Sequence, residues 1–268
     1  MHQPLTGLWQ LSPLTDLTIP QADIEFPSAL KSVLPQSLSE TDIATQEWHL
    51  MHDIEVDEAM LGLAAIDLVI EGINHYAEVR VGGVAVYDCD GSQYRYQKDI
   101  KEYLNLGRNR IEILFLDQDE DWLIDEQDVI CYLDHQQVEL TDQAIGIKQA
   151  PFLRLIRSVR LQHVTTEQIW HHGGGCELKV DVYYHTLKPS LVSADIKYNG
   201  MTYTVPLDIR SDHVTAIFQI DAPKQALLSK DGRSVLSGTT QLFVHLDGYH
   251  FPFDIALSEK QCVSHYPL

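Results

Sequence analysis

Ala65-Ile66-Asp67-Leu68-Val69-Ile70-Glu71, then Gly72-Ile73-Asn74-His75, then Tyr76-Ala77-Glu78-Val79-Arg80-Val81 is the stretch that decides the fold. Short runs with apolar residues at every second place, cut by Gly, Asn and His, are the pattern of half-buried β-strands rather than of helices. Gly82-Gly83 next turns the chain into Val84-Ala85-Val86-Tyr87, and Arg110-Ile111-Glu112-Ile113-Leu114-Phe115-Leu116 reads as a buried strand. Working outward, the theme recurs in Ser158–Val164, Glu177–Tyr184 and Val192–Tyr198, and Asn199-Gly200 fits a hairpin turn into Met201–Val205. Val214–Ile220, Gln241–Leu246 and Phe251–Leu257 complete the set. Helical pattern is confined to two short pieces. Pro27 fits the first turn of a helix through Ser28–Leu34, and Asp99–Leu104 suits one or two helical turns. The fold class is all-β.

A chain of 268 residues has room for two domains. Strand spacing changes after Pro151–Arg157, so the expected division is 1–156, a jelly-roll sandwich, and 157–268, a sandwich with the strand count of the immunoglobulin type. The Cys…Trp…Cys core of antibody domains is missing, which leaves only that architecture.

The formal net charge of −20 excludes nucleic acid and anionic membrane surfaces as natural partners, because phosphates are met by Lys and Arg. No stretch has the roughly 20 apolar residues of a membrane helix, and Met1-His2-Gln3-Pro4-Leu5 does not begin a secretory signal. Cys89, Cys131, Cys176 and Cys262 form no CxxC and read as reduced thiols, so the expected location is cytoplasmic. Met1 and the short tail after Leu257 fit a complete chain.

Gly7-Leu8-Trp9-Gln10-Leu11, Ile19-Pro20 with Pro27-Ser28-Ala29-Leu30, Glu47-Trp48, Glu71–Gly83, and Tyr96–Ile100 with Leu104–Ile113 occur in an order that resembles glycoside hydrolase family 2, and within it the β-mannosidase branch. The resemblance implies a galactose-binding-like jelly roll followed by an immunoglobulin-like sandwich. In that family a catalytic (β/α)₈ barrel of about 250 residues follows, and the chain reaches Leu268 without one. The family's retaining chemistry needs two carboxylates roughly 5–5.5 Å apart, its acid/base residing in an Asn-Glu dipeptide. Asn74, Asn105, Asn109 and Asn199 are followed by His, Leu, Arg and Gly, so the expectation is no catalytic residue. The substrate-side motifs also depart: Asp90-Gly91-Ser92-Gln93 stands for Asp-Asn-Met-Phe, Asn74 for an Asp, and Ile145–Lys148 carries no Trp-rich segment.

Sugar rings stack on exposed aromatic faces while carboxylates and amides take their hydroxyls. By that chemistry the resemblance points to Asn74, Asp90, Gln93, Tyr94 and Trp122 as candidate carbohydrate-binding residues, with Tyr94 and Tyr96 sharing a strand face by their spacing. Asp117–Trp122 begins like a calcium loop but has Trp122 where Gly is required and Asp128 where Glu is required, so it reads as a solvated acidic loop. His171-His172 on a strand would point to opposite faces, and Gly173-Gly174-Gly175 reads as a turn, so no metal is assigned there. No nucleophile elbow or phosphate-binding loop is present, and no cofactor is expected. The functional expectation is a non-catalytic, β-mannosidase-related module with a saccharide ligand. The alternatives are an assembly module with a protein partner or as a homo-oligomer, and a subunit of a split glycosidase.

Overall fold

The computed structural model describes residues 2–73, 75–116, 144–225, 227–228, 235–258 and 263–267. Among the described residues the protein is nearly all-β, with 57% of them in strands and 7% in helix. The chain divides into two compact units between Leu155 and Ile156.

The first unit contains a four-stranded sheet in the order His2–Pro4, Phe152–Ile156, Ala65–Glu71, Arg95–Asp99. Its second sheet has six strands, in the order Ala22–Ile24, Trp9–Pro13, Trp48–Val56, Gly107–Phe115, Ala77–Val81, Val84–Cys89. Ile66, Leu68 and Ile70 from the first sheet and Leu50, Val79, Ile111 and Ile113 from the second belong to one hydrophobic core. The alternation in Trp48–Val56 and Gly107–Phe115 therefore sorts apolar side chains inward, as a two-layer sandwich requires. Trp9 and Trp48 are completely buried; Trp9 stacks on His52 at 4.8 Å, and the Trp48 indole donates to the Ile43 carbonyl at 3.0 Å.

Three sequence readings are corrected here. Ala65–Glu71 does not alternate between core and solvent: every residue from Ala65 to Ile70 is buried. Asp67 is tolerated there because Gln97 donates to its carboxylate at 2.7 Å, and Arg154 in turn donates to Gln97 at 3.2 Å. Pro27 does not open a helix. It follows a cis Phe26–Pro27 bond into the two-residue strand Ser28–Ala29, which pairs with Gly146–Ile147, and only Leu30–Ser32 makes a single 3₁₀ turn. Gly146 is required at that pairing, since a Cβ would lie 2.5 Å from the Ser28 carbonyl oxygen. Tyr94 and Tyr96 do not share an environment: Tyr94 precedes its strand and is exposed, while Tyr96 is buried.

Asp99–Leu104 keeps one 3₁₀ turn, at Lys101–Tyr103. The following Gly-x-Asn has a clear physical role. Gly107 takes φ +91°, and the Asn109 side chain closes the loop by donating to the Asn105 and Gly107 carbonyls at 2.6 and 2.9 Å while accepting from the Asn105 amide at 2.8 Å.

The second unit is a β-sandwich of two four-stranded sheets. One runs His213–Ile220, Cys176–Thr186, Val159–Trp170, Val263–Pro267; the other runs Met201–Pro206, Ser193–Tyr198, Thr239–Leu246, Tyr249–Ala256. Val164, Val180, Val182, Phe218, Ile196, Val244 and Ile255 fill the core between them. Asn199-Gly200 forms the expected two-residue hairpin, with φ +47° and +80° between paired Tyr198 and Met201. Asp247-Gly248 forms another of the same kind, between Leu246 and Tyr249. The strand Val263–Pro267, which pairs with Val159–Trp170, was not among the sequence readings.

Candidate functional site

The candidate loops converge where Ala65–Glu71 ends and Arg95–Asp99 begins. These strands are antiparallel, with Glu71 opposite Arg95. Gly72, at φ +68°, donates its amide to the Tyr94 carbonyl at 2.7 Å and accepts from the Lys148 amide at 3.1 Å. A Cβ on Gly72 would lie 2.6 Å from Cβ of Lys148, so only glycine lets the three segments meet. Ile73 bridges to Ile147 beside it. Three loops, separated by up to 76 positions in the chain (148 − 72), are thus joined at one end of the sandwich.

Asp90 organises the second of these loops. Its Oδ1 accepts from the Ser92 amide at 3.0 Å, the Ser92 hydroxyl at 2.7 Å and the Tyr96 hydroxyl at 2.5 Å, while Gly91 takes φ +79°. The Tyr96 hydroxyl also accepts the Gln93 amide at 3.0 Å. Burial alone would push the Asp90 carboxyl up, but hydrogen bonds from Tyr96 and Ser92 outweigh it and leave it below the usual carboxylate range. Burial, and then the bond to Asp90, push the Tyr96 phenol up to about 12. Neighbouring Cys89 is likewise pushed up to about 12 by burial and by the charges of Asp88 and Asp90, so it is an inert thiol.

The structure thus brings Asp90, Gln93 and Tyr94 together on one short loop. Asp90 holds the loop in shape, Gln93 and Tyr94 are exposed, and Tyr94 shows 39% of its surface. Asn74, one residue beyond Ile73, and Trp122 lie outside the described residues, as does the acidic stretch Asp117–Trp122. Two charged residues not singled out from sequence stand beside Tyr94: Arg95 Nε donates to Glu71 Oε1 at 2.6 Å, both side chains being partly exposed. Their pairing joins strands 24 positions apart, and no local pattern encodes it. Chemically, the arrangement offers an aromatic face, an amide, a carboxylate and a guanidinium. That set can stack on a sugar ring and bond its hydroxyls.

His171 and His172 lie in the expected glycine turn, with the His171 amide donating to the Gly175 carbonyl at 2.9 Å. Among the described residues no group of three or more His, Cys, Asp or Glu side chains is arranged to hold a metal ion. Cys89 and Cys176 are buried, and Cys131 and Cys262 lie outside the described residues. No helix among those residues is long and apolar enough to cross a membrane.

Residues 34–144 match the family model described as "Glycosyl hydrolase 2 galactose-binding domain-like". Over that span the chain is similar to a family 2 galactose-binding-like domain. The loop of Asp90–Tyr94 and the Gly72 junction with Tyr94 both fall within it.

Solved structures extend the likeness to both units as fold. A β-D-mannosidase from Dictyoglomus thermophilum superposes with a TM-score of 0.67 at 15% identity, covering 95% of this chain and 36% of that one. A putative β-galactosidase from Bacteroides fragilis gives 0.63 at 14%, covering 96% and 41%, respectively. A glycosyl hydrolase family 2 member from Bacteroides cellulosilyticus gives 0.63 at 14%, covering 98% and 38%. The chain therefore spans well under half the length of these structures. No curated protein matches it in sequence.

Proposed function

We propose that the protein is a non-catalytic, β-mannosidase-related carbohydrate-binding module, acting as an accessory or vestigial glycosidase part in the cytoplasm. The observation that carries this reading is the galactose-binding-like domain itself, whose loop end presents exposed Tyr94 and Gln93 beside the Glu71–Arg95 pair. Tyr94 supplies the stacking face, Gln93 and the ion pair take hydroxyls, and Asp90 with Tyr96 keeps the loop preorganised. Asn74 and Trp122 complete the proposed set of ligand contacts. A neutral saccharide also suits a chain with a net charge of −20, which repels anionic ligands.

A second reading is favoured by the coverage of the fold matches. A chain that aligns over 95% of its length with 36% of a β-D-mannosidase could act as one subunit of a split glycosidase, with a barrel supplied by a separate chain.

A titration of tryptophan fluorescence with mannose, galactose, glucuronate and short β-mannosides tests the leading reading. It expects a saturable response to one sugar class at millimolar concentration or below, weakened about tenfold by Tyr94→Ala, the order of one stacking contact. A flat response across the panel would overturn it in favour of a protein partner or homo-oligomer. Hydrolysis of a β-mannoside appearing only when a barrel-bearing chain is added would favour the split enzyme.

A further inference from the structure

A second polar surface lies in the other unit, on the outward face of the sheet containing Ser193–Tyr198, Thr239–Leu246 and Tyr249–Ala256. A depression of about 290 Å³ opens there, lined among others by Ser193, Asp195, His245, Tyr249 and His250. The register explains why these residues meet. Thr204, Asp195, His245 and His250 lie directly opposite one another in one row across four strands. The inward neighbours Ala194, Ile196, Val244 and Leu246 are buried, so the row faces outward.

The hairpin fixes the two imidazoles at the closest cross-strand spacing available. Leu246 and Tyr249 flank the two-residue turn Asp247-Gly248 and form the hydrogen-bonded pair, so His245 and His250 occupy the next, non-hydrogen-bonded pair. In such pairs the Cα atoms approach to about 4.5 Å and side chains stand closer together. The turn itself is anchored: Asp247 Oδ2 accepts the amides of Arg157, Ser158 and Val159 at 2.8, 3.0 and 3.4 Å. Phe243 stacks on His250 at 4.9 Å. His250 Nδ1 and His245 Nε2 are in direct contact, with the ring planes at 89°. Asp195 stands next in the row, its Oδ1 accepting from the Thr204 hydroxyl at 2.6 Å, and the carboxylate adds negative charge beside the pair.

We propose that His245 and His250 together bind one divalent transition-metal ion of the nickel, copper or zinc class, with Asp195 facing the ion and water filling the remaining positions. Imidazole nitrogen suits these metals, and metal–nitrogen distances of about 2.0–2.1 Å place two tetrahedral ligands roughly 3.3 Å apart. A small rotation of the exposed His250 ring reaches that separation. Two protein nitrogens make an open, exchangeable site, which is consistent with the lack of any three-ligand group among the described residues. The site is independent of the saccharide reading.

Isothermal titration of the EDTA-treated full chain with nickel chloride tests the proposal. One ion should bind per chain, His245→Gln or His250→Gln should weaken it at least tenfold, and His163→Gln, at another histidine pair, should leave it unchanged. Equal binding by all variants, or no saturable heat, would overturn the site. A measurement on the unaltered protein covers the case in which a variant misfolds: sub-stoichiometric nickel should broaden the ring resonances of His245 and His250 first. Broadening led by His163 and His265, or by His171 and His172, would show that the ion sits elsewhere.

Discussion

Asp90-Gly91 and Asp247-Gly248 are the same dipeptide, one in each unit, and each places its glycine at positive φ. Their carboxylates do opposite things. Asp90 folds back on its own loop, taking hydrogen bonds from residues two and six positions away. Asp247 reaches across 88 to 90 positions and takes three consecutive backbone amides at the start of its sandwich. The first shapes a surface loop, and the second ties the last hairpin of the sheet to the first strand. A turn signal in a sequence thus fixes where the chain reverses, while the partner of its carboxylate is decided by tertiary packing.

The contrast can be broken at several points. Asp247→Ala should give the largest loss, about 3 kcal/mol in urea denaturation, because it leaves backbone donors unpaired and puts alanine at φ +51°. Asp247→Asn, which keeps an acceptor and tolerates that φ, should lose only about 1 kcal/mol. Tyr96→Phe removes the hydroxyl that bonds both Asp90 and the Gln93 amide, and should cost about 1–2 kcal/mol while loosening the loop. Exchange of the Gln93 amide with solvent deuterium should then be faster than in the unaltered protein.

The acid response sharpens the comparison further. The folded Asp90 carboxyl lies below its ordinary value of 3.8, so its stabilisation is full above that pH and is lost as pH falls through the lower folded value. Asp90→Asn should therefore flatten the loss of stability below pH 3.8 relative to the unaltered chain, as read by denaturation at stepped pH. Smallest of all in stability is Tyr94→Ala, expected within about 0.5 kcal/mol because the ring is exposed. The proposed saccharide site predicts its effect in sugar affinity instead.

Local patterns carried much of the architecture. Alternation located Ala77–Val81, Val84–Cys89 and Gly107–Phe115 in the first unit and most strands of the second, and Gly82-Gly83 and Asn199-Gly200 announced their turns because two-residue hairpins demand positive φ at adjacent positions. The same logic failed where long-range contacts decide. Asp67 is buried because Gln97 reaches it from the neighbouring strand, and Ser28–Ala29 is extended because Gly146–Ile147 pairs with it. In the candidate site, Asp90, Gln93 and Tyr94 were legible as a polar, aromatic loop. Glu71, Arg95 and Lys148 were not, since the Gly72 junction that gathers them exists only after the sheets form.

The central claim, that the loop end of the galactose-binding-like domain holds a saccharide, is tested most directly by amide chemical-shift mapping of the isotope-labelled chain during titration with a β-mannoside. The account predicts saturable shifts concentrated at residues 71–73, 90–96 and 148. Shifts confined to the second unit, or none at tens of millimolar sugar, would contradict it.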